Sequence, residues 1–227
     1  MRPVTRGPAP AKPFRKYGDA IHELEDRLGI YCSYCEQPLG VGLAVEHVVP
    51  KSLEPARELD WNNFLLGCAN CNSVKLARPT NEADFLWPDK DNTFRPFQYE
   101  PGGFVRVAPR LARSIQPKAE ALMGLVGLNR HVARDWPRPA PRDKRWKLRE
   151  TAWALAERFR NRFPNPDDEL CELIATAATV AGFFSVWMTV FADSAGIRTS
   201  LVRAFKGTCT QCFDSKGKAR KRPGGRC

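Results

Sequence analysis

The sequence predicts an α+β protein: a small ββα unit stapled by cysteines, a β-rich extension, and then a mainly α-helical domain. Three observations carry this. Cys32/Cys35 and Cys68/Cys71 form two matched C-x2-C pairs, short strand-like runs lie between them, and from Arg110 onward apolar residues recur at helical spacing.

The 227 residues, 43% apolar and 27% charged, have the composition of a globular chain with a buried core. The net charge of +11 is unevenly spread, with −3 over residues 31–108 and +12 over residues 109–227. A polyanionic partner is expected, gripped largely by the second half. The N-terminal stretch "MRPVTRGPAPAKPF" has no apolar run of signal-peptide length, so a cytoplasmic protein is expected. Its prolines and basic residues read as a flexible arm over 1–18. Leu173 to Ala192 is uncharged and long enough to span a membrane. Thr176, Thr179, Gly182, Ser185 and Thr189 give it a weakly polar face, and Asp167, Asp168, Glu169 and Glu172 flank it with acid. One buried core helix over 168–193 is therefore expected, with no membrane contact.

The cysteines are the strongest local signal. Without a secretory signal they read as metal ligands or free thiols rather than disulfides. Two residues between thiolates let both sulfurs reach one tetrahedral ion, so Cys32, Cys35, Cys68 and Cys71 are expected to hold a structural zinc. Between them, Leu43 to Val48 reads as a strand and residues 62–68 as another. A helix starts at Asn70 or Asn72 and is stopped by Pro79. Such a unit has little core of its own, and the metal supplies the missing folding energy.

In this frame "EHVVPKS" at 46–52, "DWNN" at 60–63 and "CANCNSVK" at 68–75 acquire meaning. With the first knuckle, these residues resemble the HNH nucleases, also called ββα-metal or His-Me finger nucleases, over roughly residues 30–78. The spelling is closest to HNH effectors of bacterial phage-defence systems, of the retron and Septu types. The resemblance implies a zinc-stapled ββα-metal finger in which His47 is the general base and Asn63 steadies the catalytic loop and the histidine. Asn72 stands where the last histidine of the motif's name falls, and Glu46 where many members carry aspartate. It also implies a single catalytic divalent ion, Mg²⁺ or Mn²⁺, and products with a 5′-phosphate and a 3′-hydroxyl.

The chemistry accounts for these residue types. Phosphodiester hydrolysis needs a base to take a proton from water and a cation to stabilise the departing oxyanion. A neutral imidazole suits the first task, and Glu46 and Asn72 offer hard oxygen ligands for the second. Lys75, one turn past Asn72, reads as either a phosphate contact or a solvated lysine.

Residues 85–105 are rich in aromatics and turn formers, and read as a β-rich extension packed over the finger rather than as a base-stacking surface. The division expected is an arm over 1–18, the finger and extension over 19–108, a helical domain over 109–206 and a basic tail over 207–227. In the helical part, Leu148, Ala152, Leu155 and Phe159 form one stripe, with Arg145, Arg149, Arg158 and Arg160 largely off it. Nine basic residues against three acidic ones across 138–162 make that face either ordinary solvated surface or a DNA contact, for which Arg145, Lys147 and Arg149 are the candidates. The tail carries a third C-x2-C, Cys209 and Cys212, for which a full second ligand set is not evident, and a basic run that either binds phosphate or aids solubility. His22 and His131 read as surface or packing residues.

The expected function is a metal-dependent HNH endonuclease acting on DNA, in bacterial defence or restriction, with a partner protein such as an ATPase. The competing class is a zinc-ribbon nucleic-acid-binding module without catalysis. Such a module has no need of Glu46, His47, Asn63 and Asn72 together.

Overall fold

The architecture follows from two short hairpins and seven helices, described in a computed structural model over residues 1–227. Helix α1 (Ile21–Leu28) leads into the first knuckle, followed by β1 (Leu43–His47), β2 (Phe64–Cys68) and α2 (Ala69–Lys75). A second hairpin, β3 (Phe97–Glu100) and β4 (Phe104–Val107), precedes α3 (Gln116–Val126), α4 (Arg145–Arg162), α5 (Asp168–Ala181), α6 (Phe184–Val190) and α7 (Ala195–Ala204). The α+β class holds, with a ββα finger followed by a helical part.

β1 and β2 pair antiparallel, with Glu46 opposite Leu65 and His47 opposite Phe64. β2 is buried along its whole length, and β1 becomes buried at Val45, Glu46 and His47. The polar pair thus lies where the strand enters the protein. Cys68 ends β2 and caps α2, its sulfur accepting from the Cys71 N–H at 3.4 Å. This places the second knuckle at the strand–helix junction and starts the helix before Asn70.

One apolar core runs through both halves, from Met1 to Cys227. It takes in the start of the segment expected as an arm, because Met1, Arg2, Val4 and Arg6 are buried, while residues 7–18 stay exposed or half-buried. Arg6 donates to the Phe64 and Asn62 carbonyls and to Asp89, and Val4 bridges Thr208. The segment fills a seam between finger and tail, and its arginines find fixed acceptors there. The tail is likewise built in: Cys209, Cys212, Phe213 and Cys227 are buried, and the Asn92 side chain donates to the Cys212 and Arg220 carbonyls.

The second hairpin packs against α3, α4 and α6 rather than over the finger. Its turn touches α4 so closely that a Cβ at Gly103 (φ +81°) would fall 2.1 Å from the Trp146 carbonyl oxygen. Only glycine fits that contact. The aromatics of the extension are mostly interior, with Trp87, Phe97 and Tyr99 buried, so they form core and not a stacking platform.

The helix expected over 168–193 is broken into α5 and α6 at Gly182 (φ +72°) and Phe183 (φ +57°). The break lets the Phe183 N–H reach the Glu36 carbonyl and the Ser185 N–H and hydroxyl reach the buried Glu36 carboxylate. Leu173 and Val180 on α5 are exposed, so that helix is not wholly buried. No helix is long and apolar enough to cross a membrane. Of the apolar stripe expected on α4, Ala152 is buried and Leu155 and Phe159 pack against the core. Arg145, Arg149, Ala152 and Ala156 face inward, whereas Leu148 is exposed.

Candidate metal and nuclease site

The first knuckle turns tightly, with the Glu36 N–H returning to the Cys32 carbonyl and Glu36 at φ 66°. The second is the start of α2. Together they bring the four sulfurs of Cys32, Cys35, Cys68 and Cys71 within 4.8 Å of one another, all buried. The Cys32–Cys71 and Cys35–Cys68 separations are 3.7 and 3.6 Å. Zinc–sulfur bonds of about 2.3 Å place tetrahedral ligands about 3.8 Å apart, so these two separations match a tetrahedral zinc site. The neighbouring thiols lower the Cys68 pKa from the usual thiol range, and the Cys71 N–H also donates to its sulfur.

A side chain from the helical half completes this cluster. Arg145, the first residue of α4, donates to Cys71 Sγ at 3.1 Å, to the Val126 and Gly127 carbonyls at 2.9 and 3.1 Å, and to Asp143. Arg149 donates to the Gly103 carbonyl at 3.0 Å and is equally buried. Neither arginine reaches a surface phosphate, which corrects their assignment as DNA contacts. A buried arginine requires acceptors. Arg145 has the carbonyls closing α3, Asp143 and a zinc-site sulfur, whereas Arg149 has the hairpin-turn carbonyl and keeps its Nη1 unpartnered. Lys147 does point outward, paired with Glu150 at 2.8 Å.

The polar residues gather beside the cluster. His47 ends β1 with its ring packed edge-on against Tyr17 and Phe64. Its Nε2 lies 3.0 Å from the Glu58 carbonyl oxygen. A carbonyl only accepts, so Nε2 carries the hydrogen and Nδ1 is left with the free lone pair. Burial lowers the His47 pKa, which keeps the ring neutral and able to accept a proton at neutral pH. Neither Tyr17 nor Glu58 was singled out from the sequence. One acts by ring packing and the other through its backbone, and neither role leaves a motif.

Asn63 is fully buried below the loop that follows His47. Its Oδ1 accepts from the Val49 N–H at 2.8 Å, and its Nδ2 donates to the Val49 and Arg57 carbonyls at 2.9 and 3.3 Å. The side chain therefore closes the 48–57 loop onto the start of β2. With three such bonds lost, Asn63→Ala is expected to cost about 2–4 kcal/mol. Thermal unfolding should show this as a fall of about 5–15 °C; a melting temperature within a degree of wild type would remove Asn63 from that role.

Glu46 and Asn72 meet over Gly67. A Cβ built on Gly67 would lie 2.5 Å from Asn72 Oδ1 and 3.0 Å from the Glu46 Cβ, so a side chain there would fill the place between them. Glu46 Oε1, Asn72 Oδ1 and the Tyr34 hydroxyl are all buried without a hydrogen-bond partner. Tyr34 stands against the Glu46 carboxylate. Burial raises the Glu46 pKa, and the nearby Lys75 charge opposes that rise. An amide oxygen with no partner and a carboxylate oxygen whose one close group is the Lys75 ammonium are a donor set suited to a hard divalent cation.

Lys75 is not a surface residue. Its ammonium lies 2.8 Å from Glu46 Oε1 and donates to the His47 carbonyl at 2.7 Å, with the side chain only 3% exposed. This corrects its assignment as a nucleic-acid contact. His131 packs among Phe104, Trp136 and Trp146, and His22 is exposed on α1.

No curated protein matches the chain. Residues 32–78, from Cys32 to three residues beyond Lys75, match the model of the HNH endonuclease family, about a fifth of the chain.

Proposed function

We propose that the protein is a metal-dependent endonuclease that hydrolyses DNA phosphodiester bonds. The observation that supports this best is the meeting of the buried Glu46 and Asn72 side chains over Gly67, with an oriented, neutral His47 following Glu46 in β1. His47 Nδ1 takes the proton of the attacking water. Glu46 and Asn72 would hold the cation, which when bound would supply charge stabilisation to the phosphate and the departing oxygen. Asn63 keeps the loop after His47 in place, and the structural zinc fixes α2, hence Asn72, relative to β1.

The overall charge of +11 supports a nucleic-acid substrate. With Lys75, Arg145 and Arg149 inside, exposed basic residues such as Lys147 and Arg158 remain to contact its backbone. The setting in bacterial defence or restriction, in the cytoplasm and alongside a partner ATPase, is carried by the spelling of the motif alone.

The test is incubation of pure protein with supercoiled plasmid, with and without Mg²⁺ or Mn²⁺. Nicking that needs the ion and disappears in Glu46→Gln is expected. A protein that retards DNA on a gel yet cleaves no plasmid, linear duplex, single strand or RNA with either ion is a binding module, and the nuclease reading then fails.

A further inference from the structure

Lys75 is the buried cation of the finger, and the hydrolytic scheme leaves it unused. It ends α2, one turn beyond Asn72, and reaches back to the last two residues of β1. A lysine is almost never taken out of water without a partner. Here the carboxylate at its ammonium is that of Glu46, at 2.8 Å. That contact is an ion pair without hydrogen-bond geometry at Glu46 Oε1, while Lys75 donates to the His47 carbonyl at 2.7 Å. The ammonium is held by His47 and leans on Glu46.

We propose that Lys75 is a stand-in cation: it neutralises Glu46 in the metal-free protein and withdraws from Oε1, keeping its bond to the His47 carbonyl, when a divalent ion binds between Glu46 and Asn72. This rests on the nuclease reading of the site and adds to it a competitor that sets metal affinity. Three features of the geometry fit. The contact with Glu46 has proximity without direction, so it can be given up without breaking a well-aligned bond. The bond to His47 is independent of the carboxylate. And Asn72 Oδ1 and the Tyr34 hydroxyl stay unpartnered with Lys75 in place, so the ammonium serves one donor of the set and leaves the others unsatisfied. A like charge beside an incoming dication opposes its binding.

The experiment is titration of the zinc-loaded full chain with Mn²⁺, followed by calorimetry and by the electron paramagnetic resonance signal of free Mn²⁺. Wild type, Lys75→Met and Glu46→Gln are compared, with thermal unfolding of each before Mn²⁺ is added. Removing a competing cation from a buried carboxylate should tighten Mn²⁺ binding about tenfold in Lys75→Met. The same change should lower the melting temperature of the Mn²⁺-free protein, because Glu46 loses its counter-charge. Lys75→Gln, which keeps a donor toward His47 without the charge, is read in the same way and serves if the methionine variant does not fold. Unchanged or weaker binding in these variants, with binding still lost in Glu46→Gln, shows that Lys75 only braces the strand end and overturns the proposal while leaving the nuclease reading intact. Mn²⁺ binding that Glu46→Gln does not affect places the ion elsewhere and overturns both.

Discussion

Alanine in place of His47 is expected to slow single-turnover cleavage by about 10²–10⁴-fold, the usual contribution of a positioned general base. Bound zinc should be retained, since no zinc-site sulfur touches the imidazole. Some loss of stability is expected too, because the ring fills the space between Tyr17 and Phe64 and bonds the Glu58 carbonyl. For that reason His47→Gln is the better companion. Its amide can still donate to Glu58, and it offers no basic nitrogen. A folded Gln variant that is as slow as Ala assigns the loss to proton transfer. Full activity in either folded variant removes His47 from the chemistry and leaves the cation alone to activate water.

The finger was legible in the sequence because its signals are local. Two C-x2-C spacings, a β-branched run ending in Glu46-His47 and the DWNN stretch that carries Asn63 each report on a few neighbouring residues, and the structure folds them into one ββα unit. What was not legible depends on partners far along the chain. Arg145 and Arg149 read as surface because charged side chains on a helix are normally solvated. They are interior because the carbonyls of Val126, Gly127 and Gly103 converge on them, and nothing in "RWKLRE" reveals those acceptors. The same holds for Lys75, whose partners lie across the hairpin, and for Met1 to Arg6, whose seam exists only once the tail is folded. The break at Gly182 has a like cause. The uncharged run continues through it, and only the demand of Glu36 for the Phe183 and Ser185 amides interrupts the helix. The domain division suffered most. An arginine from residue 145 bonded to the sulfur of residue 71 joins what the charge pattern separated.

That bond determines what zinc removal should do. Stripping the ion with a strong chelator, or replacing Cys68 by serine, is expected to unfold the finger and to loosen α3 and α4 with it. A structural zinc contributes about 10–16 kcal/mol to small folded units at neutral pH, as much as or more than the whole stability of a typical domain, about 5–15 kcal/mol. The finger has no reserve to absorb that loss. The helical half is then affected because Arg145 loses an acceptor at Cys71, in a site where Asp143 and the last carbonyls of α3 are arranged around the same guanidinium. Metal analysis should show one zinc per chain in wild type and none in Cys68→Ser. The far-ultraviolet circular dichroism of the stripped protein should fall by more than the seven residues of α2 could account for. Arg145→Met separates the two effects. It leaves Asp143 buried without its partner, at a cost of about 3–5 kcal/mol, yet leaves all four thiols in place. Zinc should therefore remain bound at first and be lost to a chelator faster than from wild type. If the helical signal survives zinc removal unchanged, finger and helices are independent and the Arg145–Cys71 contact carries no coupling. If wild-type protein contains no zinc, the four-cysteine site itself is overturned.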